Sequence, residues 1–113
     1  MEQASLIKNL EYNDNKPAVS LLFENEVSKE VRILMKSGQI MKEHKTSYQI
    51  TVELFEGKIE FGVNGKIKVI EKGDILSLAS NTPHDLRALE NSIIRLSLSK
   101  NDFVNRVKDV ANS

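Results

Sequence analysis

The sequence predicts an all-β fold, a double-sheet jelly roll with one short helix at its C-terminal end. Apolar residues occupy every second position in several short runs, which is the period of a half-buried strand. Turn residues separate these runs at a spacing of roughly eight to twelve residues, as in sandwiches and barrels. Helical spacing occurs only near the end of the chain. With 113 residues the chain is long enough for one core, so we predict a single domain over residues 1–113.

Three strands are predicted in the first half of the chain. They cover residues 19–24, 30–36 and 50–55, where apolar and polar side chains alternate. The second run stops at Ser37-Gly38 and the third at Glu56-Gly57. Glycine ends such runs because it adopts positive φ at low cost, so both positions are predicted turns.

The clearest local signal is a hairpin centred on Asn64-Gly65. An alternating run with apolar residues at 59, 61 and 63 precedes this dipeptide, and Ile67 and Val69 continue the alternation after it. Asn-Gly between two such runs favours a two-residue type I′ turn. We therefore predict two adjacent antiparallel strands here.

Three further strands and a helix complete the prediction. Residues 75–79 indicate a buried strand, and residues 80–83 form a loop that ends in proline. His84, Leu86 and Ala88 share one face of the next strand, and a last strand carries apolar residues at 94, 96 and 98. A helix is predicted over residues 101–111, with its cap at Asn101 or Asp102.

Composition excludes several classes of function. The 16 basic and 16 acidic residues cancel, so no overall charge attracts nucleic acid or an anionic membrane. The chain has no cysteine and therefore no disulfide, thiolate metal site or cysteine nucleophile. Because of this charge balance we predict no nucleic-acid or membrane partner. The start of the chain lacks the pattern of a signal peptide, so we predict a cytoplasmic protein. Only two histidines, His44 and His84, can titrate near neutral pH.

Two segments around these histidines resemble the two sequence motifs of the cupin superfamily. The first comprises residues Gly38 to Thr46, followed by Ile50 and closed by Gly57. The second comprises Gly73-Asp74 and then residues 81–84, which read Asn-Thr-Pro-His. The two motifs stand in the cupin order on either side of the predicted hairpin.

This resemblance covers about residues 30–99. It implies a small, single-domain cupin with the RmlC-like jelly-roll barrel, the motif-bearing strands forming the barrel and the helix following it. Cupins include dioxygenases, isomerases, epimerases, storage proteins and ligand sensors, so the resemblance does not select one activity.

The resemblance also implies which residues would hold a metal. Metal-binding cupins use two histidines and a glutamate from the first motif and one histidine from the second. In this sequence His44 and His84 fill the first and last positions, while Thr46 and Ile50 stand at the other two. Transition-metal sites in proteins usually have three or four side-chain donors. We therefore predict a degenerate site with no tightly bound metal; His44 and His84 would be the ligands if one bound.

Three functions follow as alternatives. The first is a pocket that binds a small molecule without a cofactor and is lined by His44, Thr46, Ile50, His84 and Leu86. The second is a metal-dependent dioxygenase or isomerase, in which water or substrate completes the shell of a divalent transition metal. The third is a filled barrel in which the histidines only pack. A homodimer is also predicted, with Met1 to Lys8 pairing as an extra strand of the partner subunit.

Overall fold

A computed structural model describes the whole chain, Met1–Ser113. It contains nine strands and one helix. The strands are β1 (Ala18–Glu24), β2 (Ser28–Met35), β3 (Ile40–His44), β4 (Ile50–Glu56), β5 (Lys58–Val63), β6 (Lys66–Glu71), β7 (Ile75–Leu78), β8 (His84–Ala88) and β9 (Ser92–Ser99), and the helix is α1 (Val104–Ala111). The prediction of an all-β fold with one late helix is confirmed.

The strands form two antiparallel sheets. The five-stranded sheet has the order β1-β2-β9-β4-β7, and the four-stranded sheet has the order β3-β8-β5-β6. Alternation places one face of each strand inside, where a cluster of 18 buried apolar residues joins the sheets. Leu54 and Ile59 are wholly buried in this core. The jelly-roll architecture therefore rests on the alternation read from the sequence.

The hairpin between β5 and β6 turns at Asn64 and Gly65, as predicted. Both residues have positive φ, 54° and 75°, as a type I′ turn requires. This turn pairs Phe61 with Lys68, and paired residues share a face of the sheet. Ile67 consequently points outward, and 71% of its surface is exposed.

Strand β7 is shorter and less buried than predicted. It ends at Leu78, and Ile75 is 62% exposed. The reason is its position at the edge of the five-stranded sheet, where β4 is its only hydrogen-bonded neighbour. Ile75 pairs with Glu53 and lies on the outer face with it.

The N-terminal residues lie against the outer face of the five-stranded sheet. The Arg32 guanidinium on β2 donates hydrogen bonds to the carbonyls of Lys8, at 2.8 Å, and Asn9, at 3.1 Å. These contacts bury the arginine to 8% exposure. Met1 to Lys8 forms no strand within the chain. Its pairing with a partner subunit in a homodimer stays a prediction.

The helix differs from its prediction at the start. It begins at Val104, and its N-cap is Phe103, which provides no side-chain cap. The predicted cap at Asn101 or Asp102 is therefore wrong, because the Asp102 carboxylate is engaged by other groups described below. Val107 and Ala111 are buried. No helix of the protein is long and apolar enough to span a membrane.

Candidate functional site

The two histidines face each other inside the barrel. Strands β3 and β8 pair so that His44 lies opposite His84, after an irregularity in β3 between Met41 and His44. The ring centroids are 4.2 Å apart, and the ring planes are inclined at 59°. We call these two residues the imidazole pair. The sheet register thus joins one histidine from each cupin-like motif.

Each imidazole uses one nitrogen to bind the backbone. Nδ1 of His44 lies 2.7 Å from the carbonyl oxygen of Lys42, and Nδ1 of His84 lies 2.9 Å from that of Thr82. A carbonyl oxygen only accepts, so each Nδ1 carries the hydrogen. Both Nε2 atoms then carry lone pairs, and neither has a partner in the protein. The pair therefore offers two acceptor nitrogens.

Burial keeps both rings neutral. It lowers the pKa of His44 to about 4, and repulsion from Arg106, and from His84 whenever that ring is protonated, adds to this effect. Burial also lowers the pKa of His84, which is 3% exposed, and Arg106 again contributes. Near neutral pH the imidazole pair is an uncharged acceptor group.

The imidazole pair lines a small, mainly apolar cavity. The unfilled space is about 20 Å³, room for roughly one water molecule. Ile50 and Leu86 line this cavity with the two histidines, so four of the five predicted pocket residues come together. Phe61, which sequence reasoning did not place in the site, stacks parallel to His84 at a centroid distance of 5.7 Å.

Thr46, the fifth predicted residue, does not line the cavity. Its hydroxyl donates to Oδ2 of Asp102 over 2.8 Å. Arg106 donates to the same carboxylate through Nε and Nη2, each at 2.9 Å. We call Thr46, Asp102 and Arg106 the carboxylate cluster. It ties α1 to the segment that follows β3.

Hydrogen bonds keep Asp102 ionised although it is almost completely buried. Burial raises the pKa of the carboxyl, but hydrogen bonds from Arg106, Thr46 and the Phe103 backbone outweigh burial and hold the pKa below its ordinary value. Asp102 is 1% exposed. The carboxylate cluster is thus a buried charge with its partners in place.

Arg106 also belongs to the cavity, and sequence reasoning missed it. Arg106 lines the cavity together with the imidazoles, its charge lowers the pKa of both histidines, and Nη1 has no partner in the protein. One signal was present in the sequence: Arg106 follows Asp102 by four residues, the spacing that brings opposite charges together on a helix. The cavity therefore contains a cationic donor beside two neutral acceptors.

The residues at this site do not fit a transition metal. No group of three or more histidine, cysteine, aspartate or glutamate side chains is placed to hold one. Ile50 has no donor atom, and the Thr46 hydroxyl is already bonded to Asp102. Arg106 adds a positive charge that opposes a cation. Two imidazole nitrogens are therefore the only side-chain atoms at this site that could coordinate a metal.

Known structures share this architecture. An RmlC-like cupin protein from Desulfovibrio desulfuricans superposes with a TM-score of 0.80 at 23% identity, over 88% of this chain and 97% of that one. The protein has a cupin fold. An RmlC-like cupin from Shewanella frigidimarina matches at a TM-score of 0.74 and 22% identity, over 88% and 92% of the two chains.

A third structure with the cupin fold is KdgF from Halomonas sp. Its TM-score is 0.73 at 17% identity, over 90% of this chain and 96% of that one. Protein-family models and curated proteins give no match. At these identities the comparisons establish the cupin fold, and function depends on the residues of this barrel.

Proposed function

We propose that this cupin-fold barrel binds a small polar molecule at the imidazole pair without a tightly bound metal. The observation that carries the proposal is the pair of Nε2 atoms that have no protein partner and belong to rings lining the cavity. Arg32 Nε is the one buried side-chain nitrogen or oxygen of the protein without a hydrogen-bond partner, so both Nε2 atoms retain accessible surface. Two acceptors left open in an apolar barrel therefore favour a ligand that donates to them.

Arg106 indicates what else the ligand carries. Its Nη1 donors remain after Nε and Nη2 have bonded to Asp102. A positive guanidinium beside two neutral imidazoles favours an anionic oxygen. The ligand class that satisfies both sets of groups is a small hydroxy or amino acid, which combines an O–H or N–H donor with a carboxylate.

The same groups favour binding over catalysis. A general base works best when its pKa is near the working pH, and the pKa of His44 is lowered to about 4. The dioxygenase and isomerase alternatives need a metal that the donor set does not fit. Ligand binding requires only the neutral imidazole pair and the charged Arg106 guanidinium, without a metal or a proton transfer.

A ligand of several atoms needs more room than the cavity of about 20 Å³ provides. The helix α1 supplies two of the lining residues, Arg106 and Val107. It has eight residues, and isolated helices shorter than about 12–15 residues are marginal in water. Its place therefore depends on its contacts with the barrel, and we propose that α1 shifts when the ligand enters.

Elemental analysis tests the metal-free part of the proposal. The full chain is expressed in medium that contains iron, manganese, nickel and zinc, and is purified without chelators. We expect no transition metal in stoichiometric amount, because two imidazoles hold a divalent ion only loosely. One metal per folded chain would overturn the proposal in favour of the enzyme alternatives.

Titration with glycolate tests the ligand class. Glycolate has both the hydroxyl and the carboxylate, acetate lacks the hydroxyl, and ethylene glycol lacks the carboxylate. We expect saturable shifts of the histidine side-chain NMR signals with glycolate and weaker binding of both controls. The double variant His44→Gln/His84→Gln should lose the binding, whereas Lys45→Ala, an exposed neighbour, should keep it. Equal binding of all three probes would contradict the assigned roles.

A further inference from the structure

A second cavity opens on the side of the barrel, between β6 and β7. Its volume is about 260 Å³. Its apolar wall consists of Phe61, Val63, Leu76 and Leu78, and Lys66 and Lys68 lie beside that wall. We call it the lysine groove.

The hairpin register explains why lysines stand here. The two-residue turn pairs Val63 with Lys66 and Phe61 with Lys68, so both lysines lie on the inner face of β6. This is the face that carries core residues elsewhere in the strand, such as Ile70, which is 3% exposed.

Neither lysine has a counterion. None of the ion pairs of the protein involves Lys66 or Lys68, and no carboxylate lines the groove. Two ammonium groups beside an apolar wall give the groove the complementary surface for a molecule that joins an apolar body to a negative charge.

The groove is open because it lies between two strand edges. β6 ends the four-stranded sheet and β7 ends the five-stranded sheet, and no hydrogen bonds join them. The apolar wall is consequently within reach from solvent at Val63 and Leu76, which are only partly buried.

We propose that the lysine groove binds a free amphipathic carboxylate of medium chain length. The hydrocarbon chain lies along the four apolar side chains, and the carboxylate lies between the ammonium groups of Lys66 and Lys68. The volume of about 260 Å³ is just below the range of about 300–1,000 Å³ for pockets of drug-sized ligands, which suits a short chain. The site is separate from the imidazole pair, although Phe61 lines both cavities.

Calorimetric titration with octanoate, and with 1-octanol as the uncharged control, tests this proposal. The variant Lys66→Met/Lys68→Met keeps the apolar stems over the wall and removes both charges. We expect octanoate to bind the wild type in a saturable manner and roughly tenfold more weakly in this variant, while octanol binding is unchanged. Lys8→Met/Lys100→Met, which removes two exposed lysines elsewhere, should bind octanoate like the wild type.

Each other outcome would overturn the proposal. No saturable octanoate binding, or equal binding by the two double variants, means that the lysine stems only cover the core. Binding to phosphatidylglycerol vesicles without binding to octanoate would assign the groove to a membrane surface instead.

The single variants Lys66→Met and Lys68→Met replace the double variant if the latter does not fold. Octanoate binding should persist in His44→Gln/His84→Gln, so the lysine groove and the imidazole pair can fail independently.

Discussion

The imidazole pair and the carboxylate cluster lie at the same end of the barrel, and they use their polar atoms in opposite ways. In the carboxylate cluster, Asp102 accepts hydrogen bonds from Thr46, Arg106 and the backbone of Phe103. In the imidazole pair each ring bonds once, to the backbone carbonyl two residues before it, and leaves Nε2 without a protein partner.

The difference separates a structural group from a binding group. A buried carboxylate with its partners in place fixes the elements that contribute them, here α1 and the segment after β3. Neutral rings with open acceptors add less to the fold and leave capacity for a ligand. Arg106 takes part in both, since Nε and Nη2 serve Asp102 while Nη1 has no partner.

The largest expected effect comes from breaking the carboxylate cluster. Asp102→Ala leaves the Arg106 guanidinium and the Thr46 hydroxyl without their acceptor. We expect a loss of about 2–4 kcal/mol in the free energy of unfolding, measured by urea denaturation.

A matched control is available on the same helix. Asp109→Ala removes an exposed carboxylate that makes no ion pair, and its effect should stay within about 0.5 kcal/mol. If the two variants were equally stable, the carboxylate cluster would not hold α1 in place.

Titration of the imidazole pair should make the free energy of unfolding depend on pH. The pKa of His44 falls from an ordinary 6.5 to about 4 in the folded protein, so the unfolded chain binds more protons between these values. The contribution of neutral His44 to the free energy of unfolding is therefore complete above pH 6.5. It decreases as the pH falls towards 4, by on the order of 2 kcal/mol. Urea midpoints measured across this range test the expectation.

The double variant His44→Gln/His84→Gln should abolish that slope, because glutamine does not titrate. The loss that comes from Asp102 and Glu30 should remain, since both have lowered pKa values and give up stability only below their ordinary 3.8 and 4.5. A slope between pH 6.5 and 4.5 that survives in the variant would show that other groups cause it.

The smallest effect is expected at Thr46. Its substitution tests whether this residue belongs only to the carboxylate cluster or also to the binding site at the imidazole pair. Thr46→Val keeps the shape of the side chain and removes two hydrogen bonds, the one that the hydroxyl donates to Asp102 and the one that it accepts from the Tyr48 backbone N–H. We expect a loss of about 1–1.5 kcal/mol in unfolding free energy. Glycolate binding should not change, because Thr46 does not line the cavity. A large drop in glycolate affinity would place Thr46 in the binding site, as the sequence predicts.

Local patterns in the sequence predict most of the barrel. Alternation identifies the strands, and Asn64-Gly65 identifies the hairpin, because both depend only on neighbouring residues. The pairing of His44 with His84 also follows once the resemblance to the cupin motifs is recognised. The sequence pattern predicts that Ile67 and Val69 continue the apolar alternation, whereas the two-residue turn pairs Lys66 and Lys68 with inward residues and leaves Ile67 and Val69 exposed.

The parts that sequence reasoning misses depend on contacts between distant segments. Asp102 is a reasonable cap by its position, but the tertiary bond from Thr46 engages its carboxylate instead. Arg106 enters the site only because α1 packs over the barrel with this side of the helix inward. Ile75 is exposed because its strand ends a sheet, and strand order is not a local property.

The bond between Thr46 and Asp102 also determines what it would cost to build a metal site in this barrel. Thr46→His and Ile50→Glu would complete the ligand pattern that the resemblance to metal-binding cupins implies. The first change, however, removes a hydrogen bond from Asp102, and the second introduces a charge at a position that is 3% exposed. Neither step gains a metal until both are made, so each intermediate is less stable without a compensating function. The bond therefore opposes the stepwise introduction of the missing metal ligands into this barrel.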